Sequence, residues 1–428
     1  MLRVLVATTC TPDDRKTLGV ARALSRAGAL VTVGGDRHQG RAFFSKHVEA
    51  RIEYPHPGAD PDGFVEALQQ CLKESPHDVV IPTSDYTTLA LSRFEERLSE
   101  YSRILAPGME SATLVRDKLE LLSLAERIGL EVPATRCPAQ DDDLGPIVRD
   151  LGVPVVVKPR RGMGGIGVRL AKTPEALGRC LENRFAVADE VFDLSSLLVQ
   201  EWVPGEVHDV CALFNRGEPR ATLTQRRLAM YPESGGPGIF NETTDEPELK
   251  ERAILLLREL GWHGPAQVEF KIDRRDDSVK LIEVNGRFWG TLDLATAAGI
   301  DFPGMAAKMA IHGDIESVTD YRVGLQFRWP VPYALLHALE SRRSWSSLWR
   351  FLRPSHEIRS DLWLTDPLPW LAESAFAVQR MAHRSVQRWR PQSSDDGSDP
   401  QVLHDLSHLR SMLRSPSREP RVRDPSDS

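Results

Sequence analysis

Residues 281–290, LIEVNGRFWG, set Glu283, Asn285 and Arg287 at alternate positions behind an apolar pair. In an extended chain alternate side chains share one face, so a carboxylate, an amide and a guanidinium would stand in one row. Burying such a row is costly unless something binds there. A second acid-bearing apolar run, VEFKID, carries Glu269. Two carboxylates and an amide oxygen on neighbouring strands form a hard, all-oxygen set suited to Mg2+ that is also held by nucleotide phosphates. Arg287 extends the row as a planar fork for a carboxylate or a transferring phosphoryl group. The plainer alternative is a Glu–Arg ion pair at a strand edge.

Upstream, VVVKPRRGMGGIGVRL (155–170) places Gly162, Gly164, Gly165 and Gly167 between two strand-like runs. A P-loop would put its Lys after the glycines and a dinucleotide fingerprint would open a helix, so neither fits. A hairpin loop whose backbone N–H groups approach a polyphosphate does fit, with Lys158 as a fixed cation and Arg160 and Arg161 beside it. A glycine-rich surface turn is the alternative. In VQEWVPG a strand runs into Gln200, Glu201 and Trp202 before Pro204 and Gly205 break it, a hinge able to offer backbone groups to an adenine edge. TQRRL supplies Arg226 and Arg227 ahead of a Gly/Pro loop at 231–244, readable as substrate contacts or as solvated arginines. His208, the histidine nearest a motif, reads as structural.

The elements that must position these residues alternate. RVLVATT (3–9) is a strand pattern, followed by helical spacing through Leu18, Ala21 and Leu24 that stops at Gly28; strands at 29–35 and 78–85 and helical patterns at 64–75 and 88–101 follow. This alternation predicts a parallel sheet with helices on its faces over residues 1–110. Ligands sit beyond the carboxyl ends of such strands, which makes Thr8, Thr9, Thr83, Ser84 and Asp85 candidates for substrate contact, against a simpler reading as helix caps. One helix is expected over 114–130, then a strand-rich α+β segment to about residue 313.

In this order the stretches resemble the ATP-grasp superfamily, and most closely its carboxylate–amine ligase branch, over residues 1–313. RDK (116–118) corresponds to a segment with a phosphate-contacting Lys, VVKPRRGMGGIGV to the phosphate lysine and glycine-rich loop, QEWVPG to the adenine hinge, and VEFKID and EVNGRF to the metal ligands. The resemblance implies an N-terminal α/β domain (1–110), an ATP-grasp domain (111–313), a helical Arg/Trp-rich C-terminal extension (314–390) and a disordered tail (391–428). By the same resemblance Lys118, Lys158, Arg160 and the loop glycines would hold ATP phosphates, and Gln200, Glu201, Trp202 and Val203 would meet adenine. Glu269, Glu283 and Asn285 would ligate Mg2+ (or Mn2+), and Arg287 would stabilise an acyl phosphate. The family often has an acid near Val207 for the ribose; here Glu206 or Asp209 must substitute. Many members read N-P-R where this chain has Asn285-Gly286-Arg287. The implied reaction joins a carboxylate to an amine with ADP release; a thiol or polymer acceptor, or a nucleotide-binding module without catalysis, are the alternatives.

A net charge of −7 disfavours nucleic acid as the partner of the whole molecule, and 41% hydrophobic residues fit an ordinary globular chain. Five scattered cysteines without CxxC spacing suit reduced thiols and a cytoplasmic protein, and neither a signal-peptide layout nor a long apolar run is evident. Residues 321–390 are different: they hold eleven Arg, no Lys and five acids. The amphipathic patterns at 334–352 and 370–390 are expected to pack on the catalytic core, with contact to an anionic membrane surface as the second reading. Small-molecule substrates and a homodimer complete the expectation.

Overall fold

The computed structural model describes residues 1–10, 14–37, 40–138, 144–162, 167–182, 185–187, 190–192, 196–231, 236–331 and 358–376. Strands β1 (Arg3–Ala7), β2 (Leu30–Gly35), β3 (Ala50–Glu53), β4 (Val79–Pro82) and β5 (Arg103–Ile104) form a parallel sheet ordered β3–β2–β1–β4–β5. β1 and β4 are buried on both faces, as their unbroken Val/Ile/Leu runs require.

The helical stretch expected at 114–130 is two helices, Met109–Arg116 and Lys118–Arg127. Asp117 interrupts it because its side chain accepts from the Glu120 N–H and caps the second helix. Next come β6 (Thr135–Arg136), β7 (Val155–Pro159), β8 (Arg169–Ala171), a separate hairpin of β9 (Phe185–Val187) and β10 (Glu190–Phe192), and β11 (Leu197–Glu201). Four of these strands make an antiparallel sheet ordered β6–β11–β7–β8. The glycine-rich loop is therefore the β7–β8 hairpin connection.

A seven-stranded sheet carries the rest: β12 (Gly205–Asn215), β13 (Glu218–Met230), β14 (Gly238–Thr244), β15 (Gly264–Asp273), β16 (Val279–Asn285), β17 (Gln326–Arg328) and β18 (Ile358–Ser360), ordered β16–β15–β12–β13–β14–β17–β18. One face packs on helices Lys118–Arg127 and Pro247–Glu259 through Val210, Val268, Phe270, Leu281, Leu124 and Leu256. The other face joins the first domain in a continuous core containing Val4, Leu18, Cys211, Leu223, Phe288, Trp289 and Trp329. Phe288 and Trp289 are thus packing residues.

The extension after residue 313 was expected to be helical, yet its described part adds two strands to this sheet before a helix at 368–376. It is fastened to the first domain by buried ion pairs. Arg22 meets Asp366 at 3.0 Å, and Arg41 meets Asp361 at 3.1 Å and Glu373 at 2.8 Å. Trp363 lies beneath both Arg22 and Arg26, 4.4 and 4.6 Å from its ring centre. Among the described residues no helix is long and apolar enough to cross a membrane. The pattern at 334–352 and most of 370–390 lie outside the described residues.

Arg41, Asp361 and Glu373 are each at most 2% exposed at the side chain. Truncating Arg41 leaves two buried carboxylates without their guanidinium. Arg41→Ala is therefore expected to cost about 3–5 kcal/mol of stability, read by urea denaturation of the full chain. A change below 1 kcal/mol, the range of surface ion pairs, would show that the pairs do not fasten the extension.

Candidate active site

Side-chain phase decides what the seven-stranded sheet presents. On β15, Val268 and Phe270 enter the core, so Gln267, Glu269 and Lys271 face the other way. On β16, Val279, Leu281 and Val284 all enter the same core, which strict alternation forbids. A bulge resolves this: Glu269 pairs with Glu283 but Phe270 pairs with Leu281, making Ile282 an additional residue. The bulge re-aims Glu283 and Asn285 onto the face of Glu269. The two glutamates are direct cross-strand partners.

Gly286 follows from the neighbouring packing. A Cβ there would lie 2.5 Å from Trp262 Cη2, so the packing calls for glycine at this position. Arg287 then turns back. Its Nε donates to Asp85 Oδ2 at 3.0 Å, its Nη2 to Asn285 Oδ1 at 3.0 Å and its Nη1 to the Phe288 carbonyl at 3.0 Å. Asp85 also meets Arg116 Nη1 at 3.2 Å. The two guanidinium groups hold its carboxyl well below the usual range despite burial, which acts the other way.

The lysines converge from elsewhere. Lys118 begins its helix and donates to the Gly162 carbonyl at 3.0 Å. Lys158, on β7, donates to Gln200 Oε1 at 2.8 Å. Both are buried, and burial together with Lys118 pushes Lys158 down to about 7. Around Glu283 burial alone would raise the carboxyl; Lys118, Lys158, Arg227 and Arg287 together hold it below its ordinary value. Glu269 goes the other way: burial, with Glu283 and Asp209 nearby, raises it even against Arg227.

Other predicted residues fall differently. Arg226 and Arg227 lie on β13, not on a surface loop. Arg226 pairs with Glu242 at 2.7 Å, while Arg227 is buried between Asp209 (2.6 Å) and Glu269 (2.7 Å). Asp209 is fully buried on that arginine and Gln225, so of the two ribose candidates it is Glu206 that stays exposed. Arg160 and Arg161 are both tied to Asp117. The Glu201 carboxylate is held by Arg275 and by Lys280 at 3.1 Å. Val203 offers its carbonyl to Lys271 at 2.9 Å, and the same ammonium lies 5.9 Å from the Trp202 ring centre. Thr83 and Ser84 serve the fold: Thr83 bonds Thr17 at 2.6 Å, and Ser84 caps the helix Asp85–Arg93. Thr8 is likewise spent on Tyr54 and Asp14. Of that strand-end group it is Asp85 that reaches the charged row. His208 is buried, its pKa lowered by burial, and 3.9 Å from Glu206, a structural placement. Gly164 and Gly165 lie outside the described residues.

Arg116 joins this centre without having been singled out from the sequence, while Asp209 and Arg227 join it as an ion pair beside Glu269 and not as the ribose and substrate contacts expected of them. The Arg216-Gly217 turn, with φ of 50° and 89°, closes the β12–β13 hairpin, and a bulge at Arg220 shifts the register so that Asp209 stands opposite Gln225.

Residues 193–330 match the family described as ATP-grasp in the biosynthetic pathway with Ter operon, and residues 117–209 match the carbamoyl-phosphate synthase L chain ATP-binding domain. The chain has the ATP-grasp fold, and its family matches run over residues 117–330. Carbamoyl phosphate synthase large chain, N-terminal section, from Methanopyrus kandleri is 26% identical over 246 residues, covering 53% of this chain and 41% of that protein. The chain thus spans well under half of that relative. Two solved structures share the ATP-grasp fold at 17% identity. The biotin carboxylase domain dimer of Hydrogenobacter thermophilus 2-oxoglutarate carboxylase, solved with MgADP and bicarbonate, superposes with a TM-score of 0.59 over 76% of this chain and 73% of its own. L-amino acid ligase from Bacillus licheniformis gives 0.56 over 73% and 75%. ATP-grasp enzymes use ATP and Mg2+.

The donor set suits that metal in kind. Among the described residues no group of three His, Cys, Asp or Glu could hold a cation unaided. Two carboxylates and one amide oxygen match Mg2+, which takes few protein ligands and completes its shell with phosphate and water. Asn285 presently turns Nδ2 to Glu269 Oε1 (3.0 Å) and Oδ1 to Arg287, so offering its oxygen beside Glu269 requires the amide to turn over.

Proposed function

We propose that the chain is an ADP-forming ligase that activates a small-molecule carboxylate as an acyl phosphate and joins it to an amine. The observation that carries this reading is the facing pair Glu269 and Glu283, with Lys118, Lys158, Arg227 and Arg287 acting on Glu283. Such a group is arranged to neutralise a transferring phosphoryl group, the main task in this chemistry.

On this reading Lys118 and Lys158 hold the ATP phosphates beside the glycine-rich loop, and the Gln200–Val203 hinge borders adenine with Glu206 near the ribose. Glu269, Glu283 and Asn285 would hold Mg2+, which would supply positive charge to offset that of the transferring phosphoryl group. The substrate carboxylate attacks the γ-phosphate, yielding ADP and an acyl phosphate. The amine then attacks the acyl carbon, phosphate leaves with the C–O bond electrons, and the amine proton passes to a carboxylate or water. Arg287, steadied by Asp85 from the first domain, faces the oxygen on which charge develops. The likeness to an L-amino acid ligase favours amino acid-like substrates, and the family description favours a biosynthetic product.

The test is ADP formation across a panel of carboxylates and amines. ADP release that requires both one carboxylate and one amine, with phosphate in equal amount, is expected. Tight ATP binding without release for any pair would favour a binding module instead.

A further inference from the structure

Arg227 stands where a cation bound to Glu269 would have to act. Its Nε and Nη2 grip Asp209 as a fork, at 3.1 and 2.6 Å, and its Nη1 donates to the Gly236 carbonyl at 3.3 Å. The same Nη2 reaches Glu269 Oε1 at 2.7 Å. Asn285 Nδ2 donates to that oxygen as well, at 3.0 Å. One of the two facing glutamates is thus already neutralised by the protein, from a side chain only 8% exposed.

The surrounding charges give this contact a consequence. Asp85, Asp209, Glu269 and Glu283 are met by Arg116, Arg287, Arg227, Lys118 and Lys158, so the site is balanced or slightly positive before any metal enters. A bare divalent ion would have to displace a guanidinium from Glu269 and leave a strongly positive cluster in a low-dielectric setting. A metal–nucleotide complex, itself an anion, meets the opposite situation. Lys118 and Lys158 would be satisfied by its phosphates, and Glu269 would be available to its metal.

We propose that Arg227 is an internal counter-cation for Glu269, which excludes free divalent metal and yields Glu269 only to metal arriving with nucleotide. Arg227 keeps its hold on Asp209 throughout, so the exchange needs a rotation of Glu269 and of the Asn285 amide and no movement of β13. This rests on reading Glu269 and Glu283 as metal ligands. It makes Arg227 a positioning residue for Glu269, distinct from a contact to substrate.

The experiment is Mn2+ binding to the full-length protein without nucleotide, followed by the electron paramagnetic resonance signal of free Mn2+. Wild type is expected to bind weakly. Arg227→Met, which removes the competing cation and leaves two buried acids uncompensated, should bind Mn2+ about tenfold more tightly or better. Its thermal midpoint should fall in chelator and recover on adding Mn2+, beyond any effect of Mn2+ on wild type. Equal Mn2+ affinity in the two proteins, or a variant that Mn2+ does not restore, overturns the proposal. If Arg227→Met is unfolded in chelator, recovery of its circular dichroism with Mn2+ supports the proposal and failure to recover overturns it. A parallel titration with ADP present separates the two layers. Should Glu283→Gln bind Mn2+ with ADP as well as wild type does, the metal-site reading itself fails. Should that binding depend on Glu283 while Arg227→Met shows no gain, the counter-cation role alone fails.

Discussion

Glu283→Gln is expected to lower ATP-dependent phosphate release by about a thousandfold or more while leaving the fold intact. The substitution keeps size and hydrogen-bonding shape and removes one charge. That charge is half of the facing carboxylate pair and is held ionised by Lys118, Lys158, Arg227 and Arg287. Losing a metal ligand forfeits several kcal/mol of phosphoryl-group stabilisation, and about 1.4 kcal/mol is tenfold in rate. Nucleotide affinity should separate from activity. With four cations left facing an amide, ADP without metal should bind at least as well as to wild type, while the gain on adding Mg2+ should vanish. Calorimetry of ADP with and without Mg2+, beside a phosphate-release assay, reads both effects. Full activity in the variant would sink the assignment of Glu283 to metal.

The second large effect is at Arg287. Removing one preorganised donor from a site of developing charge costs about a hundredfold to a thousandfold in turnover, so Arg287→Ala should lose kcat on that scale. MgADP affinity should change little, because on the proposed reading the lysines and the facing glutamates would hold the nucleotide. Arg287→Lys should fail to rescue the rate. The native fork divides among Asp85, Asn285 and the Phe288 carbonyl, and an ammonium cannot span those three partners in one plane. Unchanged kcat in the alanine variant, measured at saturating substrates, would remove Arg287 from the chemistry.

Much of this arrangement was legible in one dimension. The parallel sheet announced itself through buried runs such as RVLVA and VVIP, and the glycine-rich turn through its position between two strands. The face shared by Glu283 and Asn285 was legible too, although the bulge at Ile282 that turns it to the side of Glu269 was not, since a bulge leaves no mark in residue order alone. Lateral neighbours were harder. Arg227 and Asp209 are eighteen residues apart yet share an ion pair, because a tight turn folds β13 back on β12. Taken as separate motifs they suggested a loop arginine and a ribose acid; paired across the hairpin they neutralise each other beside Glu269.

Long-range fastening was least legible. Arg41 and Asp361 lie 320 residues apart, and an Arg-rich stretch with scattered acids leaves a surface for anionic partners as the second reading beside packing on the core. Their burial decides for packing: a charged pair at most 2% exposed is part of the interior. The helix break at Asp117 has a similar cause. Helical spacing runs straight through it, and the break follows from a side chain that caps the second helix while anchoring Arg160 and Arg161.

The measurement that bears most directly on the central claim is isotope transfer from the substrate carboxylate to phosphate. In a reaction of purified full-length protein with ATP, Mg2+, an amine and a carboxylate labelled with heavy oxygen, an acyl phosphate passes one carboxylate oxygen to the phosphate released. Mass spectrometry should therefore find the label in inorganic phosphate, one atom for each amide formed. Label that leaves as water, with unlabelled inorganic phosphate and ADP still released, would contradict carboxylate activation by phosphoryl transfer at this site.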